Sequence, residues 1–136
     1  MKLFRSVLVL LVFLSIFMVQ NVQAETLSGR YKLNANGFTG YFDFQLTGEK
    51  LTGSLTFTKS SLGAAINQVT EITGCKVKLG KYGEITTIAI TFKRSTNQVY
   101  YGWFSTDRKL IAGYFTHSAP GEKEHDHAPW YASKVE

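Results

Sequence analysis

The stretch Gly40–Thr58, GYFDFQLTGEKLTGSLTFT, decides the fold. In its first half, Gly40, Phe42, Phe44 and Leu46 continue a row begun by Phe38, while Thr39, Tyr41, Asp43 and Gln45 form the opposite row. After the polar turn TGEK, Leu51, Gly53, Leu55 and Phe57 alternate with Thr52, Ser54, Thr56 and Thr58. Successive side chains of a strand point to opposite faces, so a period of two with one apolar and one hydroxyl-rich row predicts a strand with one face buried and one in water. Two such segments around a short glycine-bearing turn predict a hairpin. What remains open at this point is whether the buried face fills its interior or walls a ligand cavity.

The same period recurs along the chain. Turn clusters NANG, TGEK, GKYG, RSTN and TDRK separate alternating segments at 28–33, 38–46, 51–58, 69–79, 84–93, 98–105, 110–117 and 129–135. Helical periodicity is missing, apart from a short turn expected around Leu62–Ile66. Eight short strands in succession predict an all-β, eight-stranded up-and-down antiparallel β-barrel, since closure removes exposed strand edges; a sandwich is the alternative.

Residues 1–24 stand apart from this pattern. Lys2 and Arg5 precede the apolar run Val7–Val19, and Val22-Gln23-Ala24 offers a small-residue cleavage site. This is the layout of a secretory signal peptide; a membrane anchor is the weaker reading, because the run is short and ends in a polar stretch. Its removal leaves one domain, residues 25–136, with thirteen basic and ten acidic residues and a formal charge of +3. The expected product is secreted, extracellular or periplasmic. Cys75 is the single cysteine, which excludes an internal disulfide, and its alternation with Lys76 and Lys78 suggests a buried thiol. Lys76, Lys78, Lys81, Lys93 and Arg94 form the main basic cluster. No nucleic-acid motif accompanies them, so solvent-facing strand positions are expected and no nucleic-acid or membrane partner.

The last third differs from the opening hairpin. In strand 98–105, Val99, Tyr101 and Trp103 stand opposite Tyr100 and Phe104; in strand 110–117, Leu110, Ala112 and Tyr114 stand opposite Ile111, Gly113 and Phe115. Both faces are apolar or aromatic. An outer barrel face of this kind is unfavourable in water, which predicts a homo-oligomer, dimer or tetramer, assembled through strands 98–117.

Taken in order, LSGRY, GEKLTGSLTF, VTEITGCKVKLG, TTIAITFKR, YYGWFSTDRKLIAGYFT and APWYASK span nearly the whole of residues 25–136. In their order and spacing they resemble the avidin and streptavidin family of secreted eight-stranded biotin-binding barrels. The resemblance implies a small, largely apolar ligand, with biotin the candidate, held between aromatic walls and a few buried polar groups. Phe92 and Phe115 fall where that family has inward tryptophans, Tyr100 matches a third, and Trp130 matches one donated by a neighbouring subunit. Leu55 and Phe57 stand where the family has a ureido-binding tyrosine and a serine. The family's C-terminal glycine-aspartate signature has no counterpart. Asn34, Ser61 and Gln98 lie near positions able to supply replacement polar groups, so the implied ligand set is Asn34, Phe92, Gln98, Tyr100, Phe115 and Trp130, with biotin affinity weaker than the family's. The alternative is a filled barrel that acts by protein–protein or surface contact.

All three histidines, His117, His125 and His127, gather in HSAPGEKEHDHAPW with Glu122, Glu124 and Asp126. Two histidines two apart on an extended segment point the same way and suit zinc or copper, yet the spacing is no established metal motif, and a charged loop is the favoured reading. Neither a metal nor any other cofactor is therefore expected. Catalysis would need inward nucleophiles or carboxylates, and the inward rows hold Phe, Leu, Ile and Gly, so no enzyme activity is expected.

Overall fold

A computed structural model describes residues 27–95, 97–118 and 125–136, without the side chains of 125–127. The leader expected at 1–24 lies outside these residues, as do Glu122 and Glu124. Among the described residues nine strands follow one another: β1 (Gly29–Ala35), β2 (Phe38–Thr47), β3 (Lys50–Lys59), β4 (Ala65–Glu71), β5 (Thr73–Tyr82), β6 (Ile85–Ser95), β7 (Gln98–Phe104), β8 (Leu110–His117) and β9 (His125–Lys134). They form one antiparallel sheet in the order β4-β3-β2-β1-β9-β8-β7-β6-β5. The last strand thus returns to the first, and the two edge strands are consecutive in the chain.

The opening hairpin has the register its alternation requires. Phe42 faces Leu55, Phe44 faces Gly53, and Leu46 faces Leu51, while Thr47 pairs with Lys50 across a tight turn at Gly48 and Glu49. Gly48 has φ +62°, a left-handed conformation that glycine adopts without a Cβ penalty. The buried row is Phe42, Phe44, Leu46, Leu51, Leu55 and Phe57, and the hydroxyl-rich row faces outward.

One expected strand is corrected. The segment 69–79 is two strands, β4 beginning at Ala65 within the stretch expected to turn, and β5 beginning at Thr73. The count is therefore nine rather than eight. Ile66 of β4 and Ile72, between β4 and β5, face the core, but Cys75 and Val77 face it from β5, so the inward row slips by one residue at Thr73 and Gly74. Gly74 has φ +60°, and the Ile72 N–H donates to the Gly53 carbonyl at 2.9 Å. A one-residue slip of this kind bends the strand and changes its partner: β4 pairs with β3, β5 with β6. The final strand also starts earlier than expected, at His125 rather than 129. Cys75 is half-buried, and burial raises its thiol pKa.

The core lies inside the curl of the sheet. At one end, Leu27 is buried and its carbonyl accepts the Tyr31 hydroxyl at 3.0 Å; the Arg108 carbonyl lies 3.2 Å from the same hydroxyl. Burial pushes the Tyr31 pKa up to about 12. Arg108, at the β7–β8 turn with φ +63°, donates to the Thr86 carbonyl at 2.8 Å and so ties that turn to β6.

Candidate functional site

The inward rows meet as a column of rings. Tyr31 stacks on Phe44 at 5.1 Å between centroids, Phe44 lies 4.8 Å from Phe42, Phe42 stacks on Phe92 at 5.0 Å, Phe92 on Tyr100 at 5.1 Å, and Tyr100 on Phe115 at 4.9 Å. Trp130 stands edge-on to Phe42, Phe92 and Tyr100 at 5.6–6.3 Å. Such offset-stacked and edge-to-face pairs are the favoured aromatic geometries, worth about 0.5–1.5 kcal/mol each beyond the area they bury. Phe42 comes from β2 and Phe92 from β6, on opposite arms of the sheet, so the walls touch through their rings. A ligand ring inserted between them needs roughly double that spacing.

Gly102 makes room for the tryptophan. A Cβ there would fall 3.0 Å or less from the six-membered ring of Trp130. The indole N–H of Trp130 reaches the Tyr101 carbonyl at 3.0 Å and the Tyr114 carbonyl at 3.2 Å, which satisfies its one donor inside an apolar core.

Of the six residues expected to hold a ligand, Phe92, Tyr100 and Trp130 are buried together and Phe115 half-buried beside them. Asn34 is on the outer row of β1, between the buried Leu33 and Ala35, and its side-chain oxygen accepts the Gly37 N–H at 3.1 Å across the β1–β2 turn. Gln98 is on the inward row of β7 at the other end from Leu27, where its side-chain oxygen accepts from Arg94 at 3.0 Å. Ser61 is exposed in the β3–β4 connection. Leu55 and Phe57 are 0% and 2% exposed and fill space where the avidin pattern has polar groups. The β8–β9 register sets His117 opposite His125, but the side chains that would complete a metal set lie outside the described residues.

Arg94, expected with the basic cluster on the solvent face, turns inward instead, and its role at the site is one that sequence reading missed. It continues the inward row Ile88, Ile90, Phe92 of β6, so its parity was the available signal, masked by its charge. Its guanidinium lies 4.6 Å from the Phe57 ring centroid and donates to Gln98 at 3.0 Å and to Gln68 of β4 at 2.6 Å. One side chain thus bridges β4, β6 and β7 over the end of the column. Its Nε is buried with no hydrogen-bond partner among the described residues, a loss of about 1–3 kcal/mol that the cation–π contact offsets in part. Burial pushes the Tyr100 pKa up to about 12 against the nearby Arg94 charge, which pulls it down.

The outer face of β7, β8 and β9 is the second candidate. Trp103, Ala112 and Tyr131 form one cross-strand row, Tyr101, Tyr114 and Pro129 the next. Tyr101 stacks on Tyr114 at 4.9 Å, and Trp103 lies 6.2 Å from Tyr114. Trp103 is 49% exposed and Tyr131 50%. None of the six carries a charge at neutral pH.

Fold and site together define a class: an all-β chain whose single curled antiparallel sheet is aromatic within and, over three strands, aromatic without. No family model, curated protein or solved structure matches the chain.

Proposed function

We propose that the chain is a secreted, avidin-like barrel with a filled interior, in which β4 and β5 act as two halves of one wall strand and binding is carried by the outer face of strands 98–117. The partner proposed is a second copy of the chain. The observation that carries this reading is the uncharged, half-exposed aromatic patch centred on Trp103. Tyrosine and tryptophan dominate interface energetics because they bury large area with few rotors to freeze. Residues 25–136 carry a formal charge of +3, and a contact face without charges adds no close like-charge pair to the repulsion between two copies.

The meeting of Phe92, Tyr100, Phe115 and Trp130 favours a second reading, a small apolar ligand such as biotin among these rings. That reading requires the column to open. With Leu55 and Phe57 in place of polar groups, it also leaves the ureido group of biotin without its usual partners.

Light scattering on a sizing column tests the first reading. The protein is expected to elute at micromolar concentration as a dimer or tetramer, and Trp103→Glu as a monomer with an unchanged circular dichroism spectrum. A hot-spot loss of about 2 kcal/mol weakens assembly about 30-fold, and a buried carboxylate adds to that. A wild-type protein that is monomeric at that concentration sinks the proposal.

A further inference from the structure

The wall changes partner at Ile72, and this leaves two strand edges without a ladder. On β5 the residues from Lys76 to Tyr82 pair with β6 alone, and on β3 the residues from Lys50 to Gly53 pair with β2 alone, since the β3–β4 ladder starts at Ser54. The Ile72 N–H, donating to the Gly53 carbonyl at 2.9 Å, joins the two edges at one point; beyond it the described residues form no ladder between β3 and β5. An edge strand directs the N–H and C=O of every second residue outward, where they can pair with an added strand. The side chains along this edge alternate. Cys75 and Val77 pack against the core, and the next residue of their row, Leu79, is 57% exposed although its register partner Ile88 is 2% exposed. On the opposite row Lys76 and Lys78 are exposed, face the uncharged Thr91 and Ala89 across the β6 ladder, and form no ion pair with a described residue.

These features fit an added strand, and its chemistry follows from them. Such a strand pairs through its backbone, and side chains directly opposite one another share a face. Apolar residues of one row would cover Val77 and Leu79. Residues of the other row meet Lys76 and Lys78, where a carboxylate is attracted and a lysine repelled. Lysines on an edge keep like edges apart, so the β5 edge of a second copy is disfavoured here and an acidic partner is selected. We infer that the β5 edge takes up an extended segment of another protein in which apolar and acidic residues alternate. This inference stands apart from the contact proposed at Trp103, which uses the outer face of β7, β8 and β9.

Titration of the isotopically labelled protein with the peptide acetyl-EVEVEVE-amide, followed by amide resonances and hydrogen exchange, tests it. Saturable shifts and slowed exchange are expected from Lys76 to Gly80, with binding weakened by added salt. Leu79→Ser is expected to weaken binding about tenfold and Lys78→Gln about threefold. Both side chains are exposed, so neither change disturbs the core. Lys32→Gln, which removes the same charge from the outer row of β1, is expected to leave binding unchanged. The inference is overturned if acetyl-KVKVKVK-amide binds as well, or if acetyl-EEVVVEE-amide does, which has the same composition without alternation. It is equally overturned if Leu79→Ser binds like the unaltered protein, if Lys32→Gln weakens binding as much as Lys78→Gln, or if no saturable shift occurs. Exchange over β5 that slows with protein concentration alone would put a second copy on this edge and also overturn it.

Discussion

Phe92→Ala is expected to destabilise the protein by about 3–5 kcal/mol, the range for removing a buried aromatic side chain that leaves a cavity. Phe92 is 0% exposed and its ring touches Phe42 at 5.0 Å, Tyr100 at 5.1 Å and Trp130 at 5.9 Å. It joins the two arms of the column, so its loss opens a gap between rings anchored on β2 and β7 that neither arm can close without backbone movement. Domains of this size are stable by only about 5–15 kcal/mol, so the urea midpoint falls steeply while the slope of the transition holds. Phe92→Leu keeps most of the volume and is expected to lose less than half as much. A residue lining a water-filled cavity behaves differently, since truncation there creates no new void. A loss below about 1 kcal/mol for Phe92→Ala therefore contradicts the packed column.

Gly113→Ala is expected to destabilise by about 3 kcal/mol or more, at the upper end for forcing extra atoms into a packed interior. A Cβ at Gly113 would collide with the Tyr101 carbonyl oxygen and lie 2.8 Å from the Gly102 Cα. Both obstacles are backbone, and the sheet has to separate at β7–β8, the ladder that presents both Tyr100 to the core and Tyr101 to the outside. Gly48→Ala is the comparison. It has the left-handed φ of +62° but nothing within 4 Å, so only the conformational penalty of about 1–2 kcal/mol applies. Thermal midpoints that rank Gly48→Ala as the more damaging change would show that close approach at Gly113 is not limiting.

Much of this architecture is legible in local alternation. The hairpin over 40–58 reads directly, because each row has one chemistry and the register buries one of them. The two-faced strands of the last third read equally well, since Tyr100 and Tyr101 both carry rings and the backbone must place them on opposite sides. The break at Ile72 does not. Alternation continues on both sides of it, and the one-residue slip is set by which neighbour each half pairs with, a long-range choice. Asn34 shows the limit of resemblance: its own neighbours Leu33 and Ala35 are buried, so alternation puts it outside. Arg94 shows the reverse, an inward parity overruled in reading by a charge that the fold accommodates with a ring and two amides. Parity likewise brings Phe92, Tyr100 and Phe115 inward, but whether inward rings face a cavity or each other depends on the distance between opposite walls. That distance follows from the curl of the whole sheet.

Calorimetric titration of the protein with biotin tests the filled interior most directly. No heat of binding and no rise in thermal midpoint are expected at excess ligand, because the space between Phe42 and Phe92 is already taken by their own contact. Saturable heat with a matching rise in midpoint, lost in Trp130→Ala, would mean that the column opens to admit a ligand, and would contradict the filled interior.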